Sequence, residues 1–340
     1  MRTDVASVIG HPFSVVTTRD GRWAFVSLDS TVGVFSAGSF LPQPVRTIAV
    51  PGQAAGQALT PDGKHLIVTD FAAGGSIIDI AAATSGSPSA DPVAATLAAP
   101  SGTGSVEVAV TPDGRYALVT LENSKALAVF DVGVALRADQ GRSAYLGQVP
   151  VGDGPVGVAI SPEGRWAYVT SEGRRGSAGT VSVIDLSRAT TDPAKAVVAT
   201  VAADCSPVRV ITSPDGSIVW VTARGSDEVL AFSATRLRSD PAHARLAQVP
   251  VGPAPVGLAL AHGGRYLVVG DSNRFGAANA PADVRILDVA AALAGRPATV
   301  ATVPADGFPR DLAITPDGRT ALVPNYSTEH LQAIDLTALP

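Results

Sequence analysis

A four-residue turn that recurs seven times is the feature of this sequence that most limits its fold. Its full form is Thr or Ser, Pro, Asp or Glu, and Gly, and successive final glycines lie between 42 and 54 residues apart. Proline fixes the backbone at the first turn position, the acid accepts a local backbone hydrogen bond, and glycine adopts a positive φ. The motif therefore marks tight turns rather than a site. The turns end at Gly21, Gly63, Gly114, Gly164, Gly216, Gly264 and Gly318, of which the first and sixth are degenerate.

Each turn lies inside the same pattern of short apolar runs. In the fourth copy, such runs cover residues 156–160 before the turn, then 166–170, 181–185 and 197–201 after it. Alternating β-branched runs bounded by Gly, Pro and Asp are typical of strands. Four antiparallel strands in each of seven units predict an all-β, seven-bladed β-propeller that forms a single domain over residues 1–340.

The two ends of the chain predict how the ring closes. The last unit stops at residues 336–340, after its third strand, and an unmatched strand-like segment lies at about residues 4–9. Pairing of this N-terminal strand with the last blade would supply a fourth strand and leave no wide sheet edge exposed. An aspartate ends most third strands, and these residues are predicted to cap turns. They are Asp79, Asp131, Asp185, Asp288 and Asp335.

Composition excludes several classes of function. The net charge of −5 argues against nucleic acid as a partner, and no apolar run is long enough to span a membrane. The single cysteine, Cys205, rules out an internal disulfide. As a nucleophile it lacks a nearby His or Asn in the sequence, so an inert, buried thiol is the competing interpretation. No secretion signal precedes the first strand, which predicts a cytoplasmic protein if Met1 is the natural start and a secreted one if the chain was trimmed. We expect a monomer.

The fourth repeat resembles a known family motif. Residues 154–170 read GPVGVAISPEGRWAYVT, which is similar to the repeat of the YVTN-repeat, lactonase-like seven-bladed propellers. The resemblance covers essentially the whole chain and implies the same fold. It leaves the activity open, because this superfamily includes lactonase-like hydrolases, cell-surface proteins and binding scaffolds. No catalytic signature of the lactonases can be matched residue by residue to this chain.

Charged residues interrupt one register of the innermost strands. Seven positions before the turn glycine the family prefers glycine, since the strand comes close to the propeller axis there. Blades 3, 5 and 7 carry Glu107, Arg209 and Asp311 at this register. These side chains are predicted to converge at the top of the axial channel, where the loops between strands two and three also lie. Because buried charge costs stability unless it is paired or used, they either bind a ligand or form a structural network.

A second candidate site lies where blade 7 meets blade 1. Four residues there are predicted to be catalytic. His11 or Asp311 would activate water, Arg310 (or Arg209) would stabilise a developing oxyanion, and Tyr326 would supply a hydroxyl. The competing interpretation of His11 is a capping or packing histidine before a proline.

Further top-face residues are predicted to contact the substrate. Phe275 lies at the tip of the top loop 271–282 and would cover a bound ligand. The predicted substrate-binding residues are Glu107, Arg209, Asn325, His330 and Phe275.

Acidic residues outnumber basic ones on the loops of the top face. An acidic mouth attracts cations and repels phosphates, so this count predicts a neutral or cationic small-molecule substrate rather than a phosphorylated one. We predict no cofactor and no metal in the site. Ca²⁺ or another divalent cation stays open as an alternative, although no EF-hand-type spacing is present.

Two functions from different classes fit these observations. The first is an enzyme that acts on a small organic molecule at the top of the channel, by resemblance a lactonase-like hydrolase or a related lyase or cyclase. The second is a non-catalytic binding scaffold for a protein or glycan partner. Aromatic residues exposed across the top face would favour the scaffold, but aromatics make up only 5% of the chain.

Overall fold

The computed structural model describes residues 1–72, 74–85, 91–100, 102–137, 143–173, 178–276 and 281–340. Within them the chain forms seven antiparallel sheets of four strands each, which are the blades of a propeller. The seven-bladed architecture predicted from the repeats is therefore confirmed. In the first six blades the strands are consecutive in sequence, and the first strand of each blade lies innermost.

The strands are short and evenly spaced along the chain. The N-terminal strand β1 is Thr3–Ser7. Blade 1 consists of β2 Pro12–Thr17, β3 Trp23–Leu28, β4 Thr31–Ser36 and β5 Gln43–Ala49. Blade 2 consists of β6 Gln57–Leu59, β7 His65–Thr69, β8 Gly74–Asp79 and β9 Val93–Ala98. Blade 3 consists of β10 Ser105–Val110, β11 Tyr116–Leu121, β12 Ala126–Asp131 and β13 Tyr145–Pro150.

The remaining blades repeat this arrangement. Blade 4 consists of β14 Pro155–Ile160, β15 Trp166–Ser171, β16 Thr180–Asp185 and β17 Val197–Ala202. Blade 5 consists of β18 Pro207–Thr212, β19 Ile218–Ala223, β20 Glu228–Ser233 and β21 Arg245–Pro250. Blade 6 consists of β22 Pro255–Ala261, β23 Tyr266–Asp271, β24 Asp283–Asp288 and β25 Thr299–Pro304. Blade 7 consists of β26 Ala313–Ile314, β27 Thr320–Asn325, β28 His330–Asp335 and the N-terminal β1.

The N-terminal strand closes the ring as predicted. It pairs antiparallel with β28, from Thr3 opposite Ile334 to Ser7 opposite His330. The observed strand begins one residue earlier and ends two residues earlier than the predicted segment at about residues 4–9. Ile9 lies beyond its end and is 88% exposed.

Removal of residues 1–9 is expected to lower the melting temperature and to cause self-association, because it uncovers the edge of β28 and its unpaired backbone groups. Thermal unfolding and light scattering of the purified protein would measure both effects. Removal of Met1 alone is the control. A truncated protein that stays monodisperse and melts with the full-length chain would show that β1 contributes nothing to closure.

The repeated turns are structural, as the sequence indicated. In blade 2 the Thr60 hydroxyl donates to the Asp62 carboxylate at 2.6 Å, and that carboxylate accepts the Lys64 amide at 3.1 Å. The turn glycine, Gly63, has a φ of +69°. The hydroxyl hydrogen bond lowers the pKa of Asp62. The hydroxyl and the carboxylate of the turn are thus hydrogen-bonded within the turn, which supports a structural role for the motif.

Five short helices follow third strands in the described residues; predicted aspartates cap the first turn of four of them, and Ser233 caps the other. Asp79, Asp185 and Asp288 accept backbone amides at 2.8, 3.0 and 2.7 Å. Of the described helices, none has the length and apolar character of a membrane span. The helices are α1 Ile80–Thr84, α2 Val132–Arg137, α3 Leu186–Ala189, α4 Ala234–Ser239 and α5 Val289–Leu293. Single 3₁₀ turns cover Pro193–Lys195, Pro241–His243 and His262–Gly264.

Hydroxyl groups join neighbouring blades around most of the ring. Blades 1–5 carry Ser or Thr six residues after the turn glycine. Those of blades 1, 2, 4 and 5 donate to a carbonyl of the next blade, whereas Thr120 of blade 3 donates to the Glu107 carbonyl of its own blade. Ser27 donates to the Ala55 carbonyl at 2.6 Å, and Thr170 donates to the Val208 carbonyl at 2.5 Å. Blades 6 and 7 have Gly270 and Pro324 at this register, which lack a hydroxyl. The segment that leads into blade 7 therefore lacks this anchor, and the inner strand of that blade is the short β26.

Candidate functional site

A cavity of about 260 Å³ lies at the top end of the axial channel. Both of its layers come from fixed positions in the repeat, one before and one after the turn glycine. The lining residues are Phe13, Phe71, Val106, Glu122, Val156, Glu172, Val208, Arg209, Arg224, Val256, Arg274, Phe308 and Arg310.

The first layer, which we call the apolar belt, comes from the position eight residues before the turn glycine. Six blades place an apolar side chain there, and blade 7 places Arg310. The apolar members form one cluster around the axis. They are Phe13, Ala55, Val106, Val156, Val208 and Val256. Arg310 is therefore the one charged member of this belt of seven positions.

Arg310 is held by aromatic rings rather than by an acid. Its guanidinium carbon lies 3.8 Å from the ring centre of Phe13, 5.1 Å from that of Tyr326 and 5.5 Å from that of Phe308. Its Nε is buried without a hydrogen-bond partner. Burial lowers the pKa of Arg310 to about 9, and the neighbouring cations Arg209 and Arg274 add to this effect. Such a cation gains from an anionic oxygen brought into the cavity.

The second layer, which we call the rim, comes from the position eight residues after the turn glycine. Blades 3, 4 and 5 place Glu122, Glu172 and Arg224 there. Arg224 Nη2 lies 2.8 Å from Glu172 Oε1, and both side chains are largely buried. Burial lowers the pKa of Arg224, while Glu172 opposes the shift.

Below the cavity, an inner network crosses the channel. Arg209 Nη1 lies 2.6 Å from Glu107 Oε2, and Arg209 Nε lies 3.6 Å from Asp311 Oδ1. Ser14 Oγ donates to Asp311 Oδ2 at 2.6 Å. The structure thus brings Glu107, Arg209 and Asp311 together, as their shared register predicted. We call Ser14, Glu107, Arg209 and Asp311 the inner network.

Burial dominates the electrostatics of this network. It raises the pKa of Glu107 to about 7, with Arg209 opposing the shift. Burial alone would lower the pKa of Arg209, but the charges of Glu107 and Asp311 outweigh it and the pKa is raised. Glu107 therefore titrates near neutrality while Arg209 stays charged.

Glycines at the same register make room for these side chains. Blades 2, 4 and 6 carry Gly56, Gly157 and Gly257 there. A Cβ on Gly56 would lie 2.6 Å from Glu107 Oε1, and one on Gly257 would lie 3.1 Å from the Asp311 backbone carbon. The inner network fits only because these three blades contribute no side chain.

The residues predicted at the junction of blades 7 and 1 divide into two groups. Tyr326 contacts Arg310, and the His11 ring lies 5.0 Å from the Tyr326 ring, so His11 is separated from the cavity by Tyr326. His11 Nδ1 also lies 3.3 Å from Asp29 Oδ1 on the exposed edge. Among the four residues predicted to be catalytic, Arg310 alone lines the cavity.

Of the five predicted substrate-binding residues, Arg209 lines the cavity and Glu107 lies in the inner network beneath it, whereas the other three do not line the wall. Asn325 is fully buried and donates from Nδ2 to Gln332 Oε1 at 3.0 Å. His330 pairs with Asp306 on the outer side of blade 7. Phe275 is 67% exposed and lies beside the cavity, with its ring centre 5.6 Å from the guanidinium carbon of Arg224.

Four of the charged lining residues were not assigned to the site from the sequence, and these are Glu122, Glu172, Arg224 and Arg274. Arg310 was predicted, but the apolar belt that the equivalent residues of the other six blades form around it was not. Glu122, Glu172 and Arg224 share one register, eight residues after the turn glycine, so an alignment of the repeats would have identified them. The cavity wall also differs in charge from the top face as a whole, since it carries four arginines against two glutamates.

A buried carboxyl pair supports the loop that carries Arg274 and Phe275. Asp271 is fully buried opposite Asp283, and Arg285 Nε lies 3.0 Å from Asp271 Oδ2 and 3.2 Å from Asp283 Oδ1. Burial raises the pKa of Asp271 to about 9, and the hydrogen bond and charge of Asp283 add to this. Burial and the second carboxyl group therefore both favour the protonated form of Asp271.

Replacement of Asp271 with asparagine is expected to make stability less dependent on pH. The folded-state pKa of Asp271 exceeds its ordinary value, so its contribution is present in acid and is lost as pH rises from about 4 towards about 9. Asparagine stays neutral, so the advantage of Asp271→Asn over the parent should grow across this range. Urea unfolding at several pH values measures it, with exposed Asp4→Asn as the control. A constant difference at all pH values would contradict a protonated Asp271.

Within the described residues, no cluster of three His, Cys, Asp or Glu side chains has the geometry to hold a metal ion. Cys205 is exposed, so the prediction of a buried thiol is wrong. Its loop position leaves the side chain open to solvent, and its backbone amide donates to Ser226 Oγ at 3.1 Å.

Together, the fold and the cavity define a seven-bladed propeller with an arginine-bearing pocket at the top of its channel. The sequence profile of the family described as "Lactonase, 7-bladed beta-propeller" matches residues 56–234 and 134–274. These matches cover more than half of the chain, which therefore belongs to this lactonase propeller family. The narrower resemblance to YVTN repeats stays a prediction.

Comparison with other proteins adds to the assignment of the fold. A chain of Kuenenia stuttgartiensis hydrazine synthase is 21% identical, superposes with a TM-score of 0.79 and matches over 98% of both chains. At this identity the likeness shows the shared fold alone. No curated protein matches the sequence significantly.

Proposed function

We propose that the protein opens the ring of a small lactone in the top cavity. The observation that carries this proposal is Arg310, a cation without an acidic partner among the described residues, set in an otherwise apolar belt. Membership of the lactonase family supports the same reaction class. A related lyase or cyclase activity on a small organic molecule is the other reaction that the family resemblance implies.

The proposed reaction needs a base and an oxyanion stabiliser. Water attacks the lactone carbonyl carbon, and the carbonyl oxygen becomes an oxyanion beside Arg310. The ring C–O bond then breaks, and the released alkoxide takes up the proton that the base removed from water. The product is a hydroxy acid. No cofactor is needed for this balance.

We propose that the base is Glu122 or Glu172, the two carboxylates of the cavity wall. Asp311 fits this role less well, because it belongs to the inner network beneath the cavity and does not line the cavity wall. His11 fits less well because Tyr326 lies between it and Arg310. A catalytic role for His11 and Tyr326 remains a prediction, in which His11 acts through Tyr326.

The charge of the cavity changes the proposed substrate. The count over the top loops favoured a neutral or cationic molecule, whereas the wall itself carries an excess of arginine. Salt weakens the interaction between exposed charges that lie far apart, so the charges of the cavity wall influence a bound ligand more than those of distant loops do. We therefore propose a small neutral or anionic lactone. The substrate is a small molecule because the cavity holds about 260 Å³.

A panel of five- and six-membered lactones, with and without a carboxylate, tests the proposal. Ring opening releases a proton from the new acid, so titration at constant pH measures turnover directly. Catalysed opening that depends on Glu122 or Glu172 supports the proposal, with Glu122→Gln and Glu172→Gln as the variants. No opening above the spontaneous rate for any member would overturn it.

The alternative function is a non-catalytic scaffold for a protein or glycan. Two exposed apolar side chains on the top face favour it, Ile9 at 88% and Phe275 at 67% exposure. A scaffold would return every lactone unchanged and would lose its partner on Ile9→Ser or Phe275→Ser. A cytoplasmic location and a monomeric state belong to the enzyme proposal as further predictions.

A further inference from the structure

The inner network connects the cavity to a buried carboxyl group. Arg209 belongs to both, because it lines the cavity and lies 2.6 Å from Glu107. Asp311 is held by Ser14 and by the Val15 amide at 3.3 Å, and it directly follows Arg310 in the chain. The hydrogen bonds to Asp311 therefore hold the backbone next to Arg310 in place. The charge of Arg310 also acts on Glu107 in the inner network.

Acidic groups are in excess beneath Arg209, and a cation without a described acidic partner lies above it. Beneath the cavity, two carboxyl groups share one guanidinium. Above it, Arg310 has no described acidic partner, and the charge of Arg310 favours the ionised form of Glu107. An anion bound beside Arg310 would cancel part of this positive field. Glu107 would then be left as an excess negative charge in a buried place.

We infer that Glu107 takes up a proton when an anion occupies the cavity beside Arg310. Glu107 is thus a positioning and charge-compensating residue rather than a group that contacts the substrate. This inference rests on the anionic ligand of the proposed function. It assigns Glu107 a role that differs from the substrate contact predicted from the sequence.

The surroundings of Glu107 make it the group that responds. The charged groups that face it are Arg209 from β18, and Asp311 and Arg310 from the segment leading into blade 7. Its own strand contributes the Val108 amide at 3.3 Å, and Gly56 of blade 2 lies against its carboxylate. Burial already raises the pKa of Glu107 to about 7, so a small change in the local field alters its protonation at neutral pH.

The direction of the pH dependence follows from linkage. Protonated Glu107 removes a negative charge from beneath the anion, so the anion binds best below about pH 7. Affinity then falls as pH rises through neutrality, by at most about tenfold per pH unit for a single proton. By reciprocity, the bound anion raises the pKa of Glu107 by the same coupling.

Calorimetric titration with sodium sulfate tests the inference, because sulfate does not itself titrate near neutrality. Measurements in two buffers of different ionisation enthalpy count the protons taken up. We expect uptake of up to one proton near neutral pH and an affinity several-fold weaker at about pH 8 than at about pH 6. Both effects should disappear in Glu107→Gln and persist in Glu163→Gln, a control in an exposed turn.

Several results would overturn the inference. They are pH-independent sulfate binding without proton uptake in the parent protein, unchanged uptake in Glu107→Gln, or no sulfate binding at any pH. If Glu107→Gln does not fold, the two-buffer measurement on the parent protein still shows whether sulfate binding is coupled to proton uptake. Lactone turnover is measured separately, so catalysis that survives a negative sulfate result leaves the proposed function in place.

Discussion

Replacement of Arg310 with methionine is expected to lower kcat for lactone opening by about 10²- to 10³-fold, the usual cost of losing one oxyanion donor. Methionine keeps much of the side-chain length and packs against Phe13, so the belt should stay filled. Melting temperature should fall little or rise, because the substitution removes a buried cation without an acidic partner. Steady-state kinetics and thermal unfolding on the same preparation measure both quantities.

The matched control for this variant is Arg296→Met, an exposed arginine just after α5 on the opposite face. It should keep the parent kcat. Arg310→Lys retains the charge but not the forked donor geometry, so it should recover part of the lost rate. Parent-like turnover in Arg310→Met would remove the residue from the mechanism and favour the scaffold function. A drop in activity that only follows loss of folded protein would also contradict the prediction.

Replacement of Arg209 with methionine is expected to destabilise the fold by about 3–5 kcal/mol, the usual cost of removing one partner from a buried ion pair. Glu107 and Asp311 would then face each other across the channel without their shared cation. Urea unfolding with a linear extrapolation measures the free energy. A loss below about 1 kcal/mol would show that water or a rearranged neighbour replaces the guanidinium.

A combined variant separates the ion pair from simple packing. Glu107→Gln, Asp311→Asn and Arg209→Met together leave no uncompensated charge in the network. Replacement of a whole buried ionic cluster is often close to neutral, so this triple variant should recover most of the lost stability. If it is as unstable as Arg209→Met alone, the contribution of Arg209 lies in its packing and not in its charge.

The fold could be predicted because its signals are local and repeated. Turns such as Thr60–Gly63 satisfy their own polar groups. In six blades the turn glycine donates its amide to the carbonyl of the first turn residue, whereas the degenerate copy of blade 6 forms a 3₁₀ turn. Closure of the propeller by the N-terminal strand could be predicted by counting strands, and only the two ends of β1 differ from the predicted segment. The inner network was predictable because charge at a register that otherwise carries glycine stands out in the sequence.

The cavity was harder to predict, for two physical reasons. Arg310 was noticed as part of the blade 7 and blade 1 junction, but its six apolar counterparts look like ordinary core residues, so the belt was missed. Histidines drew attention to His11 and His330, which the structure places behind Tyr326 and beside Asp306. Which top-face charges line the cavity depends on loop conformation, and a count over all loops does not contain that information.

The inner network has a consequence that depends on the number of blades. Large polar side chains and glycines can alternate perfectly around a ring only if the number of blades is even, and this ring has seven. One joint must therefore bring two polar residues side by side, and here it joins Ser14 of blade 1 to Asp311 of blade 7. This mismatch also places the smallest polar residue beside the joint where the two chain ends meet. An odd ring thus has a built-in asymmetry, which gives a repeated scaffold one distinct place for a site.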